Sequence, residues 1–141
     1  MTSTTTSNPS AARTAGAVLG GLATVFALSI AADMVLYALH LFRPVGQPSP
    51  AIAWWIATGY RALFTGVGGW VAARLMPARR MGAVWILTGI GTLLGLMGIV
   101  LSRLQPGMGP AEYAWAVALT GPLCSWLGGR VATRNDPEAS R

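Results

Sequence analysis

The sequence predicts an all-α protein whose four helices cross a membrane as two hairpins, with both termini on the cytoplasmic side. Three observations carry that reading. Only 10% of the residues are charged against 53% hydrophobic, with a mean hydropathy of +0.53, whereas a soluble domain carries about 25% charged residues. The charges are clustered, none falling between Arg13 and Asp33 or between Arg80 and Arg103. Between the clusters the apolar stretches reach the roughly 18 residues that mark a membrane span.

The elements follow in order. Residues 1–14 are a Ser/Thr-rich lead with one basic residue, Arg13, expected to be a disordered cytoplasmic tail. The first span covers 15–42. A signal peptide cleaved after Ala31 is the competing reading, but the apolar run resumes after Asp33 and continues to Phe42, which is long for a signal peptide's apolar core. The other spans cover 51–73, 82–102 and 111–129, the last holding Gly121-Pro122, which is expected to bend it. Residues 15–134 thus form a single four-helix transmembrane domain, and 135–141 a short cytoplasmic tail.

Tryptophan and arginine fix ends and orientation. Trp54, Trp55 and Trp115 fall at one set of span ends, Trp70, Trp85 and Trp126 at the other, as expected where indole rings settle at headgroup level. All ten basic residues are arginine. Arg13, Arg74, Arg79, Arg80, Arg130, Arg134 and Arg141 lie on one side, Arg43 and Arg103 on the other, so the positive-inside rule puts both termini in the cytoplasm. The net charge of +6 does not indicate nucleic-acid binding, which needs a compact basic face with stacking aromatics. The expected partners are the lipid bilayer and, as a homo-oligomer, a second copy of the chain.

An offset of 60 residues exposes an internal repeat. Residues 43–74 and 103–134 share ten identities in 32 positions without a gap, including Arg43/Arg103, Pro50/Pro110, Trp55/Trp115 and "GGWVAAR" against "GGRVATR". Two spans per unit place both copies in one orientation, as parallel repeats.

The repeat isolates a candidate site. Asp33 lies ten residues before Arg43 and Arg61 eleven after Pro50, so in a simple hairpin both charges sit about 15 Å below one surface. Ser29, Asp33, Tyr37 and His40 recur at helical spacing on the first span, and Thr58, Arg61 and Thr65 on the second. In the second hairpin Ser29 becomes Gly89, Asp33 Leu93, Tyr37 Met97, His40 Val100, Thr58 Ala118 and Arg61 Gly121, and only Thr65 keeps a hydroxyl, as Ser125. The first hairpin therefore reads as polar inside and the second as apolar. Two explanations stand: an ion pair fixing helix register, or a binding or proton-relay site, since intramembrane ionisable residues often line a pathway.

No catalytic constellation accompanies these residues. His40 is the only histidine and Cys124 the only cysteine, so neither a histidine metal cluster nor an internal disulfide is expected. No cofactor, metal or catalytic residue is expected, and no ligand is indicated. Gly16–Gly20 and Gly91–Gly95 match the small-xxx-small spacing that permits close helix approach.

"PVGQP" (Pro44–Pro48), "ATGYR" (Ala57–Arg61), "GGWVAARLMP" (Gly68–Pro77) and "PLCSWLGGR" (Pro122–Arg130) resemble a group of small four-span bacterial membrane proteins without assigned activity. The likeness covers most of residues 15–130. Members often carry a histidine after the arginines between spans two and three, and another before span four. Here those stretches read Arg80-Met81-Gly82-Ala83 and Gly109-Pro110-Ala111-Glu112-Tyr113. The resemblance implies the architecture and brings no mechanism. The expectation is a non-enzymatic structural or interaction component with an Asp33–Arg61 pair; the alternative is a small-solute or proton-coupled carrier using the polar seam of spans one and two.

Overall fold

The computed structural model describes residues 9–43, 47, 49–76, 80–105 and 110–134. They form four helices and no strand: α1 (Pro9–Ala38), α2 (Ala51–Leu75), α3 (Arg80–Leu104) and α4 (Ala111–Arg134). At about 1.5 Å per residue each is about 36–45 Å long.

Helix boundaries depart from expectation at α1. It begins at Pro9, inside the lead expected to be disordered through residue 14. Proline is at home in the first helical turn, where no N–H is needed, and Ala11, Ala12 and Arg13 propagate a helix well. The tail segments 1–8 and 135–141 lie outside the described residues. α1 stops at Ala38 rather than 42, because His40 turns left-handed with φ of 56°. The Leu41 N–H reaches the Leu36 carbonyl and the His40 N–H the Tyr37 carbonyl, both at 3.0 Å, the bond pair that closes a helix end. α4 runs through Pro122 as one helix.

The helices pack antiparallel in sequence order. Leu36 of α1 clusters with Ala53 and Ala57 at one end of the bundle, and Ala17 and Val18 with Ala72, Ala83 and Leu87 at the other. α2 and α4 form the centre and run parallel: Trp54 meets Tyr113 near their starts, and Ala73 meets Ala132 near their ends. Their approach is close enough that glycine is required. A Cβ at Gly69 would collide with the Ser125 carbonyl oxygen, and one at Gly128 with that of Gly66. On the other side of α2, a Cβ at Gly21 would stand 2.7 Å from the Gly68 carbonyl oxygen.

These contacts revise the glycine expectation. Gly16 and Gly91 have open space where a Cβ would be, and of their partners Gly20 faces a Leu75 side chain and Gly95 faces Ala118. The small-xxx-small spacing is satisfied on one helix without both members meeting a neighbour.

Both hairpins keep one register. Along α1 and α2, Asp33 meets Tyr60, Val25 meets Gly68 and Gly21 meets Ala72. Along α3 and α4, Gly95 meets Ala118, Val84 meets Gly129 and Thr88 meets Ser125. Moved on 60 positions, the first set becomes Leu93/Thr120, Trp85/Gly128 and Met81/Ala132, which interleave with the second set step for step.

Burial is inverted with respect to a soluble bundle. The buried residues are mostly alanine and glycine, and the largest fully buried side chains are Val84 and Ser125. Large apolar side chains face outward from every helix: Leu19, Phe26 and Met34 on α1, Ile52 and Leu63 on α2, Leu93 and Met97 on α3, Leu119, Leu123 and Leu127 on α4. Two helices, over 11–38 and 80–104, are long and apolar enough to cross a membrane, with 17% of the most apolar stretch of each buried. Of the four expected spans, α1 and α3 meet this measure of length and apolarity. α2 is made more polar by Arg61 and four glycines, α4 by Thr120, Pro122, Ser125 and three glycines; of these, Gly66, Gly69, Ser125 and Gly128 lie where the two central helices approach.

Candidate functional site

The one ion pair among the described residues joins α1 to α2. The Arg61 Nη2 group donates to Asp33 Oδ2 at 2.8 Å. Antiparallel packing from a common end brings the two charges to one height, as their equal distances from the loop require. The other carboxylate oxygen is also taken, because the Tyr60 hydroxyl donates to Asp33 Oδ1. From α4, the Tyr113 ring lies 5.6 Å from the Arg61 guanidinium carbon, within range of a cation–π contact. Side-chain exposure is 27% for Asp33 and 34% for Arg61, while the Arg61 Nε is buried without a hydrogen-bond partner among the described residues.

Other members of the expected seam go elsewhere. The Thr58 hydroxyl donates to the Trp54 carbonyl at 3.0 Å and the Thr65 hydroxyl to the Arg61 carbonyl at 2.7 Å. Each satisfies itself on its own helix, the usual outlet for threonine inside a helix. Tyr37 is half exposed and packs on Phe42, ring centroids 5.5 Å apart. His40 is exposed and belongs to the left-handed helix end, where helical spacing from Tyr37 no longer places it. Ser29 is half-buried and bonds to neither charge. A seam of seven residues is replaced by a clamp of four: Asp33, Tyr60, Arg61 and Tyr113.

Sequence reasoning missed Tyr60 and Tyr113. The hairpin register carried the first signal, since the step that aligns Val25 with Gly68 aligns Asp33 with Tyr60. Tyr113 had none, since the 60-residue offset pairs it with Ala53. The second hairpin also has a polar link, the Thr88 hydroxyl donating to the buried Ser125 hydroxyl at 3.1 Å. The one hydroxyl the second hairpin keeps at a seam position, Ser125, thus joins α4 to α3.

Aromatic rings close the end of the bundle above the clamp. Phe42 lies 5.2 Å from Trp54, and Trp54 lies 5.0 Å from Tyr113, between ring centroids. Beside them a cavity of about 210 Å³ opens between the first turns of α2 and α4. Its walls include Trp54, Trp55, Thr58, Glu112 and Tyr113 and neither Asp33 nor Arg61. At the opposite end Arg74 lies over Trp70 at 5.2 Å and Arg130 over Trp126 at 4.4 Å. No group of three or more potential metal ligands occurs among the described residues.

No family model, curated protein or solved structure matches this chain. Chemically, the clamp fixes two helices to one another and presents no carboxylate oxygen free of a partner.

Proposed function

We propose that this chain is a four-span protein of the bacterial inner membrane, non-enzymatic, serving as a structural or interaction component. In this reading the Asp33–Arg61 pair locks α1 to α2. The observation that carries it is that each oxygen of the Asp33 carboxylate accepts from a side chain of α2. Interhelical hydrogen bonds in membranes average about 0.6 kcal/mol, so the clamp specifies register more than it adds stability.

Inverted burial supports the membrane reading for all four helices. Outward Leu119, Leu123 and Leu127 on α4 and Ile52 and Leu63 on α2 would be costly in water and suit lipid, where helices associate through small residues. α2 and α4 match α3 in length and lie alongside it, so a bilayer crossed by α3 is crossed by them. The shared hairpin register supports a duplicated hairpin. Arg74 and Arg130 folded over tryptophans at the end bearing most arginines support a cytoplasmic interface there.

A carrier would need a carboxylate open to a path. Both oxygens of Asp33 are occupied, and the cavity opens elsewhere.

Charge exchange tests the clamp. Asp33→Arg or Arg61→Asp alone should abolish most of the monodisperse yield in detergent, and the double variant should restore it. Single variants with wild-type yield and thermal stability would overturn the clamp. An Asp33→Asn variant that stays folded yet loses pH-dependent solute flux in proteoliposomes would favour the carrier instead.

A further inference from the structure

We propose that the arginine-rich end of α3 and α4 holds the phosphate of an anionic phospholipid, in a site built by Trp85, Trp126, Arg130 and Arg134. The proposal rests on the reading of all four helices as membrane spans. Trp126, Arg130 and Arg134 follow one another every four residues, so they share one face over the last turns of α4. Trp85 joins them from α3. A Cβ at Gly129 would strike Val84, which marks where the two helices touch. Each residue turns about 100° from the one before, and in an antiparallel pair the residue after the contact swings to the same side on both helices. Trp85 and Arg130 therefore lie on one outer face. Trp85 is 60% exposed, and both arginines are exposed.

The chemistry of this face is that of an anion site. The Arg130 guanidinium carbon lies 4.4 Å from the Trp126 ring centroid, a cation–π contact that steadies the side chain through its flat face. A guanidinium is also a planar fork matched to two phosphate oxygens, and a side chain steadied in advance loses little freedom on binding. Neither Arg130 nor Arg134 forms an ion pair among the described residues. The acidic side chains described are Asp33, taken up by Arg61, and Glu112 at the far end of α4.

The internal repeat shows that this face is an addition to the fold. Sixty positions earlier stand Val25, Gly66, Trp70 and Arg74, so only Arg134 has a like counterpart. The first hairpin has one tryptophan–arginine pair, Trp70 with Arg74 at 5.2 Å, followed four residues on by Ala78. Retention of positive loops asks for arginines at this end, but not for two indoles beside them. Toward the middle of the spans the same side offers a track for an acyl chain. Leu119 and Leu123 are exposed on α4, and Gly89, one turn beyond Trp85, has open space where a Cβ would stand. An anionic lipid places its phosphate at the level of the indoles and its tails along that track.

The full chain in detergent, titrated with phosphatidylglycerol or phosphatidylcholine of identical acyl chains and read by native mass spectrometry, tests the proposal. Phosphatidylglycerol should form its first complex at a concentration about tenfold lower than phosphatidylcholine. One basic residue near an anionic headgroup is worth about a fivefold change, so Arg130→Gln should weaken that complex by about this factor. Arg74→Gln removes the same charge from the pair on α2 and should leave the complex unchanged. Equal affinity for the two lipids in the unaltered protein would overturn the proposal. So would equal weakening by both variants, which would show a diffuse field in place of a site. If Arg130→Gln does not elute as a monodisperse species, Arg130→Lys carries the test: it keeps the charge, loses the fork and should still weaken the complex, and unchanged affinity would overturn the site. Alkaline washing of liposomes holding the chain checks the membrane reading separately. A chain that washes off fails that reading, whereas an inserted chain without lipid preference fails only this one.

Discussion

The Tyr60 hydroxyl donates to the one oxygen of the Asp33 carboxylate that Arg61 leaves free. Adjacent residues of α2 therefore grip both ends of a single side chain of α1. Two points of attachment fix rotation as well as height, which one ion pair does not.

Tyr60→Phe removes the second grip and keeps the ring that packs on Phe64. The expected loss is about 0.6 kcal/mol, the average for an interhelical hydrogen bond in a membrane, and at most about 1.7 kcal/mol. The midpoint of thermal unfolding in detergent checks this. A larger drop would mean that the phenol supports more than the carboxylate.

The pair should respond asymmetrically to neutralisation. Arg61→Gln leaves a carboxyl group, which can be neutralised by a proton and still has Tyr60 beside it. Asp33→Asn leaves a guanidinium, which stays charged under all working conditions. An uncompensated charge at a span centre costs about 2.5–3.5 kcal/mol on the insertion scale, an upper bound here because Arg61 is 34% exposed. Asp33→Asn should therefore lower the unfolding midpoint more than Arg61→Gln, and the opposite order would place the guanidinium within reach of water or headgroups.

Much of this is legible in the sequence. Four helices and the meeting of Asp33 with Arg61 follow from apolar length and equal distance to a loop. What stayed hidden depends on which face of each helix turns inward. Spacing along one helix marks Gly91 and Gly95 as a pair, yet only the neighbouring backbone shows that Gly69 and Gly128 occupy the close approach. Helical periodicity carried His40 into the seam because it was extended two residues past Ala38, where α1 has ended. By composition only α1 and α3 stand out as spans, because α2 and α4 approach each other through small residues and a serine, which lower their apolar character.

His40 then supplies a prediction of opposite sign. A residue with φ of 56° at a helix end is where glycine is usual, and a side chain there costs about 1 kcal/mol. His40→Gly should stabilise the protein by up to about 1 kcal/mol, seen as a higher unfolding midpoint. A loss of stability would show that the imidazole contributes a contact.

Glycine-to-alanine substitution separates the central approach from the outward-facing surface. At Gly69 the added methyl group would meet the Ser125 backbone, and at Gly128 the Gly66 backbone. Neither backbone can yield without moving α2 away from α4, so Gly69→Ala and Gly128→Ala should each remove most of the folded yield. Gly59 and Gly89 face open space, and alanine there gains up to about 1 kcal/mol of helix propensity. Size-exclusion profiles and unfolding midpoints of the four variants check both halves together. If Gly128→Ala behaves like Gly89→Ala, the two central helices lie farther apart than the packing requires, and the parallel α2–α4 core is wrong.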